Sequence, residues 1–454
     1  MAATPEARFP AFSETSLKRR IGLYAATAIT VGNIIGSGIF RSPHSVAREL
    51  STVPLVLATW IVGGVLSLCG SLVLAELAVT HPKTGGLYVF LREGFGDLWG
   101  FLFGWANLWV IKPTVIASIT SVFAIYFCEA LGFNAAARLP VGIAAICLLT
   151  FINWLGVREG ARTQTVLTTL KVIGILGLCL AALALPHRGA PDGQVLAPFT
   201  AKPLVVAFVF AMIPVLFAYD GWTDSTYVGG EIRDPGRVLP VAIVGGTVLV
   251  IVVYVLTNLA YYAVLSPAEM ATYEAVGSQA IQRILGTWGG RALAVLVAVS
   301  TFGTTNGAIL TGPRVTLAMA ADGLLWRPAA HVDARRSTPD TALWIQAGLS
   351  IVWLWFSTGF EDVSGWFVTT SWLFYGLTTA ALFVQRDRER RGLVGKASYR
   401  TPLYPVTPIL FVVVTAGLIL SDLYSSGWRA AAGVLIAATG VPVYLVWKRR
   451  GRAG

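Results

Sequence analysis

Long apolar stretches recur along the chain, separated by shorter polar ones. They fall at about 21–40, 53–79, 98–127, 140–155, 163–186, 203–228, 239–265, 292–319, 341–358, 364–384, 403–421 and 430–447. Each is close to the roughly 20 residues that cross a bilayer as a helix, so the pattern predicts an all-α polytopic membrane protein with about twelve transmembrane helices. The fourth stretch is short, and the polar segment 266–291 is long for this chain. Breakers interrupt the first stretch. Gly32-Asn33-Ile34-Ile35-Gly36-Ser37-Gly38-Ile39-Phe40 places glycines at 32, 36 and 38 inside an uncharged run. Glycine costs about 1 kcal/mol against alanine in a helix. Irregular backbone at membrane depth persists only where it is buried in protein or lines a cavity. The segment therefore reads as a helix broken at mid-membrane. Its second half starts near Ser37 and turns free N–H groups and a positive dipole end to the gap. The competing reading is a small-residue packing face, Gly32-xxx-Gly36.

The sixth stretch repeats the oddity. Pro214 removes a helix hydrogen bond, and Phe217-Ala218-Tyr219-Asp220-Gly221-Trp222-Thr223-Asp224 follows, with Asp220 and Gly221 near mid-span. An offset of five spans inverts the second copy relative to the first. Interrupted helices in matching positions of two inverted halves point to a transporter's substrate site.

Composition agrees with the hydropathy. Of 454 residues 55% are hydrophobic and 13% charged, against about 25% charged in soluble domains. The net charge of +11 does not indicate nucleic acid, because the basic residues sit between apolar runs. With alternating loops, one side collects Lys18, Arg19, Arg20, Lys83, Arg92, Arg158, Arg162, Arg233, Arg237, Arg386, Lys448 and most of the remaining Lys and Arg. The other side keeps Arg41, Arg48, Arg138, Arg188, Lys202, Arg283, Arg291 and Arg429. Positive loops are cytoplasmic, so both termini are expected there, in a cell (inner) membrane. The predicted organisation is a polar segment 1–20, a first repeat 21–186, a second repeat 203–384, two more spans within 403–447 and a basic tail 448–454. No cleavable signal is evident, and the first span serves as insertion signal. Cys69, Cys128, Cys147 and Cys179 have no motif spacing and read as reduced packing residues.

Charges inside spans come next. Lys171 lies nine residues beyond Arg162, about 13 Å along a helix axis. Half the hydrocarbon core is about 15 Å, so its amine sits near the midplane. There it needs carbonyl acceptors or water; frayed carbonyls at the first break would serve, and a purely structural role in a polar groove is the alternative. Asp220 either attracts a cationic group or caps the second half-helix. Glu76 and Glu231 read as helix-end partners of basic loops. Ser300, Thr301, Thr304, Thr305 and Asn306 make the eighth span unusually polar: either they bond back to their own helix or they line the site. Phe217, Tyr219 and Trp222 at the second break suggest a gate, with generic packing as the alternative.

Asn33-Ile34-Ile35-Gly36-Ser37-Gly38-Ile39-Phe40 resembles the first-helix motif of the amino acid–polyamine–organocation superfamily. Phe217 to Trp222 followed by Gly230-Glu231-Ile232-Arg233-Asp234-Pro235-Gly236-Arg237-Val238-Leu239-Pro240 narrows the resemblance to the L-type amino acid transporter family. Ala75-Glu76-Leu77 with Lys83-Thr84-Gly85-Gly86, and Ser300 to Gly307, agree with it. The resemblance implies a five-plus-five inverted repeat (the LeuT-like fold) with two added C-terminal helices. It also implies transport of L-amino acids by alternating access, usually as obligate exchange, without cofactor or metal. The substrate carboxylate would meet N–H groups around Ser37, Gly38 and Ile39. The amino group would meet carbonyls near Ile34 and of Phe217, Ala218 and Asp220. Gly221, Trp222 and Thr223 would complete the pocket, with Phe217 as gate. Lys171 would stand in for the sodium ion of related transporters, touching carbonyls near Gly32 and Ile35 with Ser300 and Thr301 close by.

Departures bear on partners and substrates. The loop Gly132-Phe133-Asn134-Ala135-Ala136-Ala137-Arg138 lacks the cysteine that bonds a heavy chain in eukaryotic members, so no disulfide-linked partner is expected. Asp220 leaves cationic or cystine-like substrates open beside neutral ones, and Thr223 replaces an asparagine common in some members. Proton-coupled uptake, polyamine transport and a receptor role remain alternatives. An enzyme is disfavoured: His44, His81, His187 and His331 lie far apart, and no HExxH motif, paired-cysteine metal site or Walker loop appears. No filter loop suggests a channel.

Overall fold

The computed structural model describes residues 17–50, 52–185, 202–273, 275–356, 360–426 and 428–453. Residues 1–16 of the predicted N-terminal segment, and His187 and Arg188, lie outside the described residues.

The first apolar stretch forms α1 (Leu23–Ile34) and α2 (Gly38–Glu49), and the second forms α3 (Val53–Thr80). After the short α4 (Leu87–Phe95), α5 (Asp97–Ala106) runs through a π turn at Asn107–Ile111 into α6 (Lys112–Leu131). Then come α7 (Arg138–Leu155) and α8 (Val157–Ala184). The second half again opens on a divided helix, α9 (Leu204–Ala218) and α10 (Asp224–Tyr227). It continues with α11 (Pro235–Pro240), a π turn at Val241–Gly245, and α12 (Gly246–Val264). Next are α13 (Pro267–Thr272), α14 (Val276–Leu285) and α15 (Thr287–Thr311), which Gly312 joins to α16 (Pro313–Ala321). α17 (Asp340–Phe356), α18 (Phe360–Arg390), α19 (Val406–Ser426), α20 (Trp428–Ala438) and α21 (Gly440–Ala453) complete the chain.

Among the described residues, ten helical stretches are long and apolar enough to cross a membrane. The divided α9–α10 and the 17-residue α17 make up the twelve predicted. The chain is thus an all-α polytopic membrane protein, a five-plus-five inverted repeat whose first and sixth spans are discontinuous, with two further spans after it.

Hydropathy misplaces two boundaries. The first span runs on to Glu49 because Arg41, His44 and Arg48 make the end of α2 polar without ending the helix. The stretch 266–291 is folded rather than open. Ser266 starts α13 with a capping box, its hydroxyl accepting from the Glu269 amide while the Glu269 carboxylate accepts from its own amide, so both free donors are satisfied. Both ends of the described chain lie on one face. The Arg20 and Ile21 amides donate to the Glu231 carbonyl at 2.8 and 3.0 Å. The Trp447 indole donates to the Gly323 carbonyl at 2.8 Å, next to Asp322, which pairs with Arg92.

Candidate substrate site

The two breaks cross at the centre of the protein. α1 ends at Ile34 and α2 starts at Gly38; α9 ends at Ala218 and α10 starts at Asp224. Two glycines make the crossing possible. A Cβ on Gly38 would lie 2.6 Å from the Ala218 Cα, and one on Gly221 would lie 2.6 Å from the Asn33 carbonyl carbon. Gly221 also has φ +116°, a conformation side chains rarely adopt. Any larger residue at either position would push the two breaks apart.

A narrow cavity of about 40 Å³ lies between the breaks, lined by Ile34, Ser37, Gly38, Phe217, Ala218, Asp220 and Gly221 from the predicted set. The first-turn amides of α2 have no intrahelical acceptor. The Ser37 hydroxyl is buried without a hydrogen-bond partner among the described residues. On the other side of the breaks, the Tyr254 hydroxyl lies 2.9 Å from both the Ile34 and the Ala218 carbonyl oxygens. Phe217 meets Phe367 edge to face, ring centroids 6.1 Å apart.

Lys171 is fully buried. Its Nζ donates to the carbonyls of Gly32 (2.8 Å) and Ile35 (2.6 Å) and to the Thr304 hydroxyl (2.9 Å). The Ser300 hydroxyl lies 3.3 Å from the Ile35 and Gly36 carbonyls. Thr301 is different: its hydroxyl bonds back to Val297 (2.7 Å) and Ala298 (3.1 Å) of its own helix. Thr304, one turn on from Ser300, occupies the place expected of Thr301.

The Ile39 side chain is buried in the core, while its amide, the group expected to face the substrate, stands in the first turn of α2. Other expected side chains face elsewhere. Trp222 packs against Tyr375 and Phe411, centroids 5.3 and 6.0 Å apart. Thr223 is buried beside Asp224. Asp220 caps nothing: its carboxylate accepts from the Tyr375 hydroxyl at 2.8 Å, and α10 has no side-chain cap. Glu231 pairs not with a loop but with the helical Arg314, Nε to Oε1 2.9 Å, both side chains almost wholly buried. Glu76 accepts from Arg386 at 2.8 Å, at the end of α18.

The sequence reading missed a second charged centre. The Lys112 Nζ contacts both oxygens of Asp224 at 2.7 and 2.8 Å. Asn33 donates to the same carboxylate at 2.5 Å, and Thr311 at 3.2 Å. From Asn33 a buried amide chain continues through Gln164 (3.3 Å) and Asn306 (2.9 Å) to Asn153 (2.8 Å). Lys112, Asp224, Tyr227, Phe367 and Tyr375 all line the cavity. Lys112 carries the same signal as Lys171, a charge inside an apolar run. Asp224 sits at the end of one. Among the described residues, no group of three His, Cys, Asp or Glu is placed to hold a metal ion.

Comparison with known proteins finds relatives along nearly the whole chain. The family model described as amino acid permease matches residues 21–442. The serine/threonine exchanger SteT of Bacillus subtilis (strain 168) is 33% identical over 440 residues, covering 96% of this chain and 98% of that protein. The b(0,+)-type amino acid transporter 1 of Rattus norvegicus is 33% identical over 446 residues, covering 95% and 88%. The large neutral amino acids transporter small subunit 2 of Mus musculus is 34% identical over 445 residues, covering 95% and 81%. With both breaks in place and this similarity along nearly its whole length, the chain belongs to the amino acid permease family, and is a membrane transporter rather than an enzyme.

Proposed function

We propose that the protein exchanges small neutral L-amino acids across a cell membrane by alternating access. The observation that carries this reading is the pairing of opposite dipole ends around one cavity. The α2 amides and the partnerless Ser37 hydroxyl offer donors to a carboxylate. The Ile34 and Ala218 carbonyls offer acceptors to an ammonium. A zwitterion fits between, its side chain directed to Phe217 and Phe367.

The charges of the cavity refine the substrate. Lys112 neutralises Asp224, so Asp220 remains as an added negative group, held by Tyr375. Anionic side chains are disfavoured, and cationic ones are a second substrate class. Lys171 takes the place a metal cation would fill against the first break, so transport proceeds without sodium. The cavity is narrow in this conformation, and loading must widen it. Towards the face of the chain ends, Lys112–Asp224 and then Arg314–Glu231 close the path. Opening there requires these pairs to separate. That face is cytoplasmic on the distribution of Lys and Arg, and the protein works without a covalently attached heavy chain, since the 132–138 loop holds no cysteine.

Proteoliposomes loaded with unlabelled serine or threonine test the reading. They are expected to accumulate external labelled substrate in choline as well as in sodium buffer, and to lose accumulation when loaded with buffer alone. Uptake that ignores internal amino acid would refute exchange; uptake abolished in choline would refute the role given to Lys171. Inhibition by a panel of L-amino acids then ranks the substrates.

A further inference from the structure

On the face of the chain ends, Arg20, Arg158 and Arg233 border one open cavity of about 540 Å³. All are exposed. Some arginines of this face are neutralised, Arg314 by Glu231, Arg386 by Glu76, Arg336 by Asp333 and Arg400 by Glu389; others, such as Arg162 and Arg237, pair with no carboxylate among the described residues. Arg20, Arg158 and Arg233 have no ion pair among the described residues. Uncompensated like charges gathered at one cavity repel one another and would splay apart, unless an anion binds there.

The backbone holds them together. The Arg20 and Ile21 amides donate to the Glu231 carbonyl, and the Arg233 amide donates to the Ile21 carbonyl at 2.9 Å. This short parallel ladder fixes Arg20 and Arg233 side by side. Arg158 stands in the first turn of the 28-residue α8, whose free N–H groups add positive potential. The neighbouring Glu159 does not border the cavity. Guanidinium forks match phosphate oxygens in bidentate geometry.

We propose that this cavity binds the phosphate of an anionic phospholipid headgroup. The lipid source follows from what lies directly below. α1 and α8 run into the apolar layer from this point, side by side, with the Tyr24 hydroxyl 2.9 Å from that of Thr169. Beyond the exposed Arg162, their outer surfaces are apolar and bare: Tyr24 is 66% exposed, Val166 52%, Leu170 51% and Ile173 61%. An acyl chain lies along this strip while its headgroup sits among the arginines. The bound phosphate ties the start of α1 and the 231–233 segment to α8.

Purified full-length protein in detergent, titrated with dioleoyl phosphatidylglycerol or dioleoyl phosphatidylcholine and read by native mass spectrometry, tests this. Wild type is expected to retain one phosphatidylglycerol at least tenfold more tightly than phosphatidylcholine. R20Q/R158Q/R233Q is expected to lose that preference, and R237Q, changed at a nearby arginine outside the cavity, to keep it. Should the triple variant fail to fold, R158Q alone is expected to weaken phosphatidylglycerol severalfold. Unchanged retention by the triple variant, or by R158Q where the triple does not fold, overturns the proposal. So does displacement of the lipid by equimolar inorganic phosphate, which would make this a free-anion site.

Discussion

Two lysines stand at membrane depth and are satisfied in opposite ways. Lys112 meets a carboxylate, Asp224, and the two charges cancel. Lys171 meets no carboxylate; it is held by two backbone carbonyls and a hydroxyl. The first arrangement joins α6 to α10 through charges on separate spans. The second uses the hydrogen-bond donors of one amine to organise backbone that the glycines of the first break have left without helical partners. An unpaired charge in the membrane is costly, so each lysine must be matched, but only Lys171 is matched by main-chain dipoles. On the function proposed above, the ion pair is the contact that parts and re-forms as the protein opens, and Lys171 belongs to the frame of the site.

This contrast yields graded expectations. Asp224→Ala leaves the Lys112 ammonium buried and alone, and should lower stability by roughly 3–5 kcal/mol in thermal unfolding of the detergent-solubilised protein. Lys112→Met/Asp224→Ala removes both charges and should recover more than half of that loss; a double variant as unstable as the single one would show that pairing is not the cause. Lys171→Ala has no such compensating partner. Loss of its charge-assisted bonds, about 1.5–3 kcal/mol, should slow exchange about a hundredfold in proteoliposomes with insertion intact. Near-normal exchange would reduce Lys171 to a packing residue. Asp220→Asn removes the negative group that neither lysine neutralises, and should weaken inhibition by cationic amino acids roughly tenfold, the scale of one bond to a charged group, with neutral substrates little changed. Equal loss for both classes would mean that Asp220 maintains the fold of the break. Tyr254→Phe removes the proton shared by the Ile34 and Ala218 carbonyls and should cost about 1 kcal/mol of stability, read in thermal unfolding; an unchanged unfolding temperature would mean that the phenol holds neither carbonyl.

The breaks were legible because glycine, proline and polar residues interrupt runs that are otherwise uniformly apolar. Lys171 was legible for a related reason, its depth within such a run. Lys112 gives the same signal, a charge inside an apolar run. Its pairing with Asp224 joins residues far apart in the chain and is a tertiary fact that hydropathy does not carry. Tyr254 gave no signal at all, being one aromatic in a long apolar stretch. Trp222 and Thr223, expected at the pocket, do not border the cavity, although their neighbours Gly221 and Asp224 do. Beyond Gly221, whose φ is +116°, the chain changes direction, so adjacency in a motif no longer implies a shared surface. Helical phase decides which hydroxyls of α15 reach the first break: Ser300 and Thr304 share a face, and Thr301 is turned about a third of a circle away.

The phenol of Tyr254 has a single proton to divide between two oxygens, those of Ile34 and Ala218. At any instant one of them is left waiting. An arriving ammonium brings three protons and can supply both at once. The vacant centre is thus kept slightly short of hydrogen, a deficit on each of the severed helices that one guest relieves on both, so its arrival draws them to the same point.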